Sequence, residues 1–254
     1  MLGDPIAHSL SPKMHRAAFD SLGLTHKYFA IRVPLKEFRE ALEHLKKLGY
    51  RGANLTTPLK EAGAKWATEP EPFVARVGSA NTLNLLDGSA TNTDVPGFLD
   101  TLPALGIWPP ATILVLGAGG SARALTAALE DAGHRLKIYN RTPDRAKKMV
   151  KDLDLKAEVI KEPNPDGVSM VLNTTSASLA GESVPVQWAR AQKRCIAYDL
   201  AYGQELTPFL LQAGLAGHKV MDGLDLLVAQ GARSFEWWLG TAAPLDVMRQ
   251  SVQS

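Results

Sequence analysis

The chain of 254 residues has one cysteine, Cys195, so no disulfide can form within it. It has no excess of either charge: 28 Lys and Arg face 26 Asp and Glu, leaving +2 with no basic block. The electrostatic footprint of a nucleic-acid or anionic-membrane binder is therefore missing. No apolar run is long enough to span a bilayer and the N-terminus shows no signal-peptide pattern, so a cytoplasmic protein is expected. The six histidines are scattered and no Cys/His cluster has zinc-ligand spacing, so no metal is expected. No internal repeat or low-complexity segment interrupts the chain.

What is present reads as an ordinary globular protein, 45% hydrophobic and 21% charged. Helical and strand patterns alternate, which predicts an α/β fold with mostly parallel sheets. Pro12 to Leu22 reads as a helix with Ser11 as N-cap and Gly23 just past its end. Leu35 to Leu48 reads as a second, with Leu35, Phe38, Ala41, Leu42, Leu45 and Leu48 on one apolar face. Residues 52–55 and 82–86 read as strands, and Thr57-Pro58 opens a helix carrying Lys60. A helix from about Pro96 follows Asn92-Thr93-Asp94, and Ile107-Trp108-Pro109-Pro110 reads as a linker. Further α/β segments fall at 157–160, 168–172, 194–199 and 218–221, and Leu224 to Trp238 is the last long helix. Cys195 lies in one of these strand patterns as an inert core thiol.

Residues 112–142 carry the sharpest signal. The apolar strand pattern Thr112 to Leu116 runs into Gly117-Ala118-Gly119-Gly120-Ser121-Ala122, and a helix comes next. A second strand pattern, Leu136 to Tyr139, leads into Asn140-Arg141-Thr142. Strand, glycine turn, helix and strand make a dinucleotide-binding unit. Gly117 permits the tight turn, Gly119 lets backbone approach a pyrophosphate, and Ala122 allows close packing of the helix. The helix N-terminus offers N–H groups and a positive dipole end to phosphate. The competing reading is a glycine-rich turn that binds nothing. An NAD enzyme usually has an acidic residue at the end of the second strand, where this chain has Arg141. With Thr142 and Arg145 nearby, two guanidinium groups and a hydroxyl suit a ribose 2′-phosphate, so NADP is the expected cofactor. A solvated surface arginine is the plainer alternative.

Two further segments suit proton transfer. Asn54 to Lys60 places a lysine in the first turn of a helix, where the dipole disfavours its charge. Asn92-Thr93-Asp94 places a carboxylate at another helix start. On spacing alone, Lys60 could be a solvated lysine, and Asp94 and Ser11 could be simple N-caps. These patterns yield a cofactor and candidate polar groups, and ligands of such folds bind at strand carboxyl ends and in clefts between domains. A cleft with NADP on one wall and substrate on the other is expected.

Gly3-Asp4-Pro5-Ile6-Ala7-His8-Ser9-Leu10-Ser11-Pro12 with His15, then Asn54 to Lys60, resembles the shikimate dehydrogenase family. So do Gly78-Ser79-Ala80-Asn81-Thr82, Asn92-Thr93-Asp94 with Gly97-Phe98, Gly117–Ala122 and Asn140-Arg141-Thr142. The resemblance runs on through Asn173-Thr174-Thr175-Ser176, Tyr198-Asp199-Leu200, Asp222-Gly223-Leu224 and Gln230-Gly231-Ala232, in order over nearly the whole chain. It implies reversible NADPH-linked reduction of 3-dehydroshikimate to shikimate, a step of chorismate and aromatic amino-acid biosynthesis. It implies a substrate-binding, catalytic domain of residues 1–103 plus 225–254 and a Rossmann-type NADP domain of residues 104–224, the last helix returning to the first domain.

By the same resemblance Lys60 and Asp94 are the catalytic pair at the C3 oxygen, with Lys60 the main proton-transfer group. Ser9 and Ser11 bind the substrate carboxylate, joined by Tyr202, while Thr56, Asn81, Asp94 and Gln230 bind ring hydroxyls. The cofactor residues implied are Gly117, Ala118, Gly119, Gly120, Ser121, Ala122, Asn140, Arg141, Thr142, Arg145, Thr174 and Gly223, the last near the nicotinamide. The expected partners are the small-molecule substrate and, at most, a second copy in a homodimer.

The chain departs from the family pattern at several positions. Only Met1 and Leu2 precede Gly3, so either the start is trimmed or the first strand is expected to be nearly absent and the substrate-domain sheet weakened. Arg16 stands where Asn is usual, Ala90 where Gly is usual, Gln204-Glu205 where Pro is common and Leu226 where Met is frequent. The alternatives are a quinate/shikimate dehydrogenase of broader specificity, against which Arg141 argues where NAD is preferred, and a non-catalytic metabolite sensor, which would need neither Lys60 nor Asp94.

Overall fold

Short strands bounded by Gly, Pro and Asn alternate with amphipathic helices along the first hundred residues. In the computed structural model, which describes residues 1–253, they become β1 (Leu2–Gly3), α1 (Ser11–Ser21), β2 (Ile31–Arg32), α2 (Phe38–Lys47), β3 (Gly52–Asn54) and α3 (Lys60–Trp66). Then come β4 (Glu69–Pro70), α4 (Pro72–Val77), β5 (Thr82–Asn84), β6 (Ser89–Thr91) and α5 (Asp94–Leu99). A four-stranded sheet has the order β3-β5-β6-β4, with β3–β5 and β5–β6 antiparallel. The first strand is not lost: β1 pairs in parallel with β2, Leu2 opposite Ile31, and Leu2 also bridges to Leu55 beyond β3. Two residues suffice because Leu2 is buried in the core with Val33, Phe38, Leu42, Leu55 and Leu83.

Several boundaries differ from the sequence pattern. Leu10, not Ser11, occupies the cap of α1; Ser11 is its first residue, and the Ser11 N–H donates to Oγ of Ser9 at 3.3 Å. The Leu35–Leu48 stripe is broken at both ends. Leu35 lies in a tight turn before α2 and Leu48 beyond its last residue, so they are 54% and 69% exposed while Phe38, Leu42 and Leu45 are buried. Thr57-Pro58 forms a turn and α3 starts at Lys60 itself, since the Leu59 N–H first closes a turn onto the Thr56 carbonyl. Asp94 likewise is the first residue of α5 rather than a residue ahead of it.

The second unit is built on β7 (Thr112–Leu116), α6 (Gly120–Asp131), β8 (Arg135–Tyr139), α7 (Pro143–Asp152), β9 (Glu158–Val159), β10 (Met170–Asn173), β11 (Ile196–Asp199), α8 (Pro208–Leu215) and β12 (Lys219–Met221). Its six strands are all parallel in the order β12-β11-β10-β7-β8-β9. This is the doubly wound order, reversing between β7 and β10, where ligands of such sheets bind. Ile113 to Leu116 and Met170 to Leu172 are buried without alternation, as strands covered on both faces must be. Cys195 lies in this core, and burial pushes its thiol up to about 11.

The chain closes with α9 (Leu224–Leu239) and α10 (Leu245–Gln253), the latter unmarked in the sequence pattern. Both belong to the first unit, Met1–Phe98 with Asp225–Ser254, while Leu99–Leu224 form the second. The division falls a few residues before the Pro-rich segment, because the turn around Leu102 belongs with the second unit. Gly231 of α9 meets Met14 of α1 so closely that a Cβ there would collide with the Met14 methyl. None of the described helices is long and apolar enough to cross a membrane.

Candidate active site

Two helix starts bring the polar groups of the first unit together. Lys60 opens α3 and Asp94 opens α5, and Lys60 Nζ donates to Asp94 Oδ2 at 2.6 Å. The two side chains are only 12% and 11% exposed, so this is a shielded, charge-assisted pair rather than a surface one. The other carboxylate oxygen, Oδ1, accepts from Asn81 Nδ2 at 2.9 Å. Both oxygens of Asp94 are thus held, and Lys60 is fixed through one of them.

Behind Asp94 lies a buried polar layer drawn from five segments. Asn81 Oδ1 accepts from the Thr93 N–H at 2.8 Å and from the Thr82 hydroxyl at 3.0 Å. Asn54, at the end of β3, donates to Thr82 Oγ1 and Ser234 Oγ, each at 2.9 Å, and accepts from the Tyr28 hydroxyl at 2.7 Å. The Tyr28 ring stacks on His15 with centroids 4.2 Å apart and planes 9° from parallel. Burial pushes the His15 imidazole down to about 3, and neither ring nitrogen has a partner among the described residues.

The other expected substrate residues are placed as follows. Ser11 Oγ is fully buried and has no partner among the described residues, although a buried hydroxyl normally finds one. Ser9 is half-buried two residues away. Thr56 is half-buried in the turn before α3, its methyl resting on Gly3. Gln230, on α9, is buried; its Nε2 donates to the Leu227 carbonyl at 2.8 Å, and its Oε1 is 3.4 Å from Asn81 Nδ2. Asn81 is itself buried, its amide hydrogens directed at Asp94 and Thr93. Tyr202 is half-buried in the second unit, on the loop after β11.

That loop is tied down by Asp199, which accepts from Ser178, Thr207, Asn173 and the Ala201 N–H. Burial raises the Asp199 carboxyl above its usual range, while the Ser178 and Thr207 hydroxyls oppose the shift. Gly223 is packed against the Leu200 carbonyl so tightly that any Cβ would collide with it.

The glycine turn sits at the end of β7, at the reversal of strand order. Gly117 has φ of +118°, and a Cβ there would come within 2.5 Å of Thr174 Oγ1. Thr174 in turn donates its hydroxyl to the Leu116 carbonyl at 2.7 Å, so it braces the turn. Gly119 differs: its backbone is extended and a Cβ would meet nothing within 4 Å. Nothing in the fold requires glycine there, whereas a pyrophosphate close to the backbone would. Gly120 and Ser121 form the first turn of α6, and the buried Ala122 faces inward. Asn140 donates to the Thr142 carbonyl at 2.8 Å, shaping the turn after β8. Arg141 and Arg145 are exposed and, among the described residues, make no ion pair. This turn, with two open guanidinium groups, fits a dinucleotide bearing an extra phosphate.

Two family models match the chain: the shikimate dehydrogenase substrate-binding domain over residues 1–83 and the shikimate 5′-dehydrogenase C-terminal domain over residues 223–253. The shikimate dehydrogenase (NADP+) of Methanococcoides burtonii is 35% identical across 99% of this chain and 96% of its own length. The chain belongs to the shikimate dehydrogenase family. Among solved structures, the shikimate dehydrogenase of Aquifex aeolicus is similar with a TM-score of 0.90 at 34% identity, over 100% of this chain and 96% of that one. The shikimate 5-dehydrogenase of Thermus thermophilus, solved with NADP(H) and shikimate, gives 0.87 at 36% identity over 99% and 97%.

Within the shikimate dehydrogenase family pattern, the departures of this chain are accommodated locally. Ala90 adds its methyl to the core of the first unit, Arg16 points to solvent from α1, and Leu226 is buried on α9. Sequence reasoning missed Tyr28, Thr82, Thr93 and Ser234 as members of the polar layer. Thr82 and Thr93 lie inside quoted motifs, so their signal was present; Tyr28 and Ser234 are isolated residues in apolar patterns, and only the fold brings them to Asn54.

Proposed function

We propose that this chain carries out the reversible NADPH-linked reduction of 3-dehydroshikimate to shikimate. The observation that carries the reading is the shielded Lys60–Asp94 pair, held from behind by Asn81. Ketone reduction needs a hydride at carbon and a proton at oxygen. Bound NADPH supplies the hydride, and its holders are Gly117, Ala118, Gly119, Gly120, Ser121 and Ala122 around the pyrophosphate, with Asn140, Arg141, Thr142 and Arg145 at the 2′-phosphate. Thr174 supports the glycine turn, and Gly223 keeps backbone free of side chain near the nicotinamide.

The Lys60 ammonium gives a proton to the carbonyl oxygen as it gains negative charge, leaving a neutral amine and the product hydroxyl. In the reverse direction the amine takes that proton back. Asp94 holds Lys60 in position and accepts from a ring hydroxyl, and because the two groups share a hydrogen bond their roles are not independent. Ser9 and Ser11 receive the substrate carboxylate, which satisfies the buried Ser11 hydroxyl. Thr56, Asn81, Gln230 and Tyr202 are the further substrate ligands in this reading. A cytoplasmic setting accords with the single, buried thiol. Initial rates of NADP reduction by shikimate, with Lys60→Ala as control, test the proposal.

A further inference from the structure

We propose that the hydroxyls of Thr82, Thr93 and Ser234 form a positioning triangle that braces the Asn81 amide against Asp94, in the orientation set by the Thr93 N–H. The inference rests on the reading of Lys60 and Asp94 as the proton-transfer pair. The three hydroxyl oxygens are buried and mutually close: Thr82 to Ser234 is 2.9 Å, Thr93 to Ser234 is 3.0 Å and Thr82 to Thr93 is 3.4 Å.

Donor and acceptor accounting fixes both amides and then constrains the hydroxyls. The Thr93 N–H can only donate, so the amide atom 2.8 Å from it must be the Asn81 oxygen. The Asn81 carbonyl can only accept, so the Asn54 atom 3.2 Å from it is Nδ2. Thr82 therefore accepts from Asn54, and its one hydrogen is shared between Asn81 Oδ1 at 3.0 Å and Ser234 Oγ at 2.9 Å. Ser234 donates to the Gln230 carbonyl at 3.0 Å, which leaves its lone pairs for Asn54 and Thr93. Thr93, accepting from Asn81 Nδ2 at 2.9 Å, gives its hydrogen to Ser234.

The outcome is that the NH2 of Asn81 faces Oδ1 of Asp94. A flipped amide would set its oxygen against the carboxylate and loosen the partner of Lys60. The triangle also ties α9 to β5 and to the segment before α5, so Gln230, one turn before Ser234, is held in the same register. None of the three side chains is assigned contact with substrate; their effect passes through Asn81.

The test exchanges Thr82 for Val, which keeps the shape and removes the hydroxyl, and for Ser, which keeps the hydroxyl and removes the methyl. In the full-length enzyme with shikimate and NADP, Thr82→Val should lower kcat by up to about tenfold with KM for NADP unchanged, the scale of one neutral hydrogen bond. Thr82→Ser should stay within about twofold of wild type, since its hydroxyl still donates to Asn81. A packing role predicts the reverse order, and that result overturns the inference. Should Thr82→Val not fold, Ser234→Ala serves instead: a several-fold lower kcat at constant KM for NADP supports the triangle, and a wild-type kcat overturns it. Lys60→Ala is measured alongside. Full turnover there removes the proton-transfer reading itself, whereas loss there with an unaffected Thr82→Val removes only the triangle.

Discussion

Nζ of Lys60 stands 2.6 Å from Oδ2 of Asp94, and each residue is the first of its helix. The chain reverses direction between them through β4, β5 and β6, so a contact across 34 positions is delivered by sheet topology. This pair, the glycine turn and the buried layer behind Asp94 each have measurable consequences.

Lys60→Ala should lower kcat by about 10²–10⁴-fold, the range of a lost general acid, while leaving NADP affinity close to wild type. Steady-state rates and a fluorescence titration of the cofactor measure the two quantities separately. Wild-type turnover would remove Lys60 from the mechanism.

Arg141→Ala should raise KM for NADP by about tenfold or more, because a guanidinium–phosphate contact is charge-assisted. Any activity with NAD should change little. Initial rates with both cofactors check this, and an equal loss with each would point to a disturbed fold instead.

The two glycines of the turn should separate stability from binding. Gly117→Ala forces a side chain into φ of +118° and onto Thr174, so thermal unfolding should show a loss of about 1–3 kcal/mol. Gly119→Val meets no protein atom within 4 Å at its Cβ. It should keep the melting temperature and lose NADP affinity. Calorimetry with and without NADP reads both effects.

His15 gives the first unit an acid-sensitive point. Burial holds its folded pKa at about 3, well below the ordinary 6.5. The unfolded chain therefore takes up the proton first. His15 favours the folded state fully above about pH 6.5 and loses this contribution as pH falls towards 3. Urea unfolding at about pH 7 and about pH 5 should show a lower midpoint in the acid sample. His15→Phe, which preserves a ring for Tyr28 to stack on, should flatten that difference.

How much of this was legible beforehand depended on range. The glycine turn and Arg141 could be read because strand, turn, helix and strand are adjacent in sequence and each glycine has a local task. The parallel sheet followed from alternation alone. Lys60 and Asp94 stood out as candidates from their helix starts, but only resemblance gave them roles, since spacing also allowed a solvated lysine and an N-cap. The helix starts differ from the pattern at Ser11 and Pro58 because caps depend on a hydrogen bond or two that tertiary contacts redirect. Leu35 and Leu48 fit the apolar period and yet lie outside the helix that expresses it. Ser234 and Tyr28 reach the site through contacts spanning 180 and 26 positions to Asn54, which no local pattern encodes.

An NADP-linked shikimate dehydrogenase working through Lys60 and Asp94 is tested most directly by the initial rate of oxidation of shikimate and of quinate, each with NADP and with NAD. Shikimate with NADP should exceed the other three combinations by a wide margin. No shikimate-dependent formation of NADPH, or equal rates with NAD, would contradict the account.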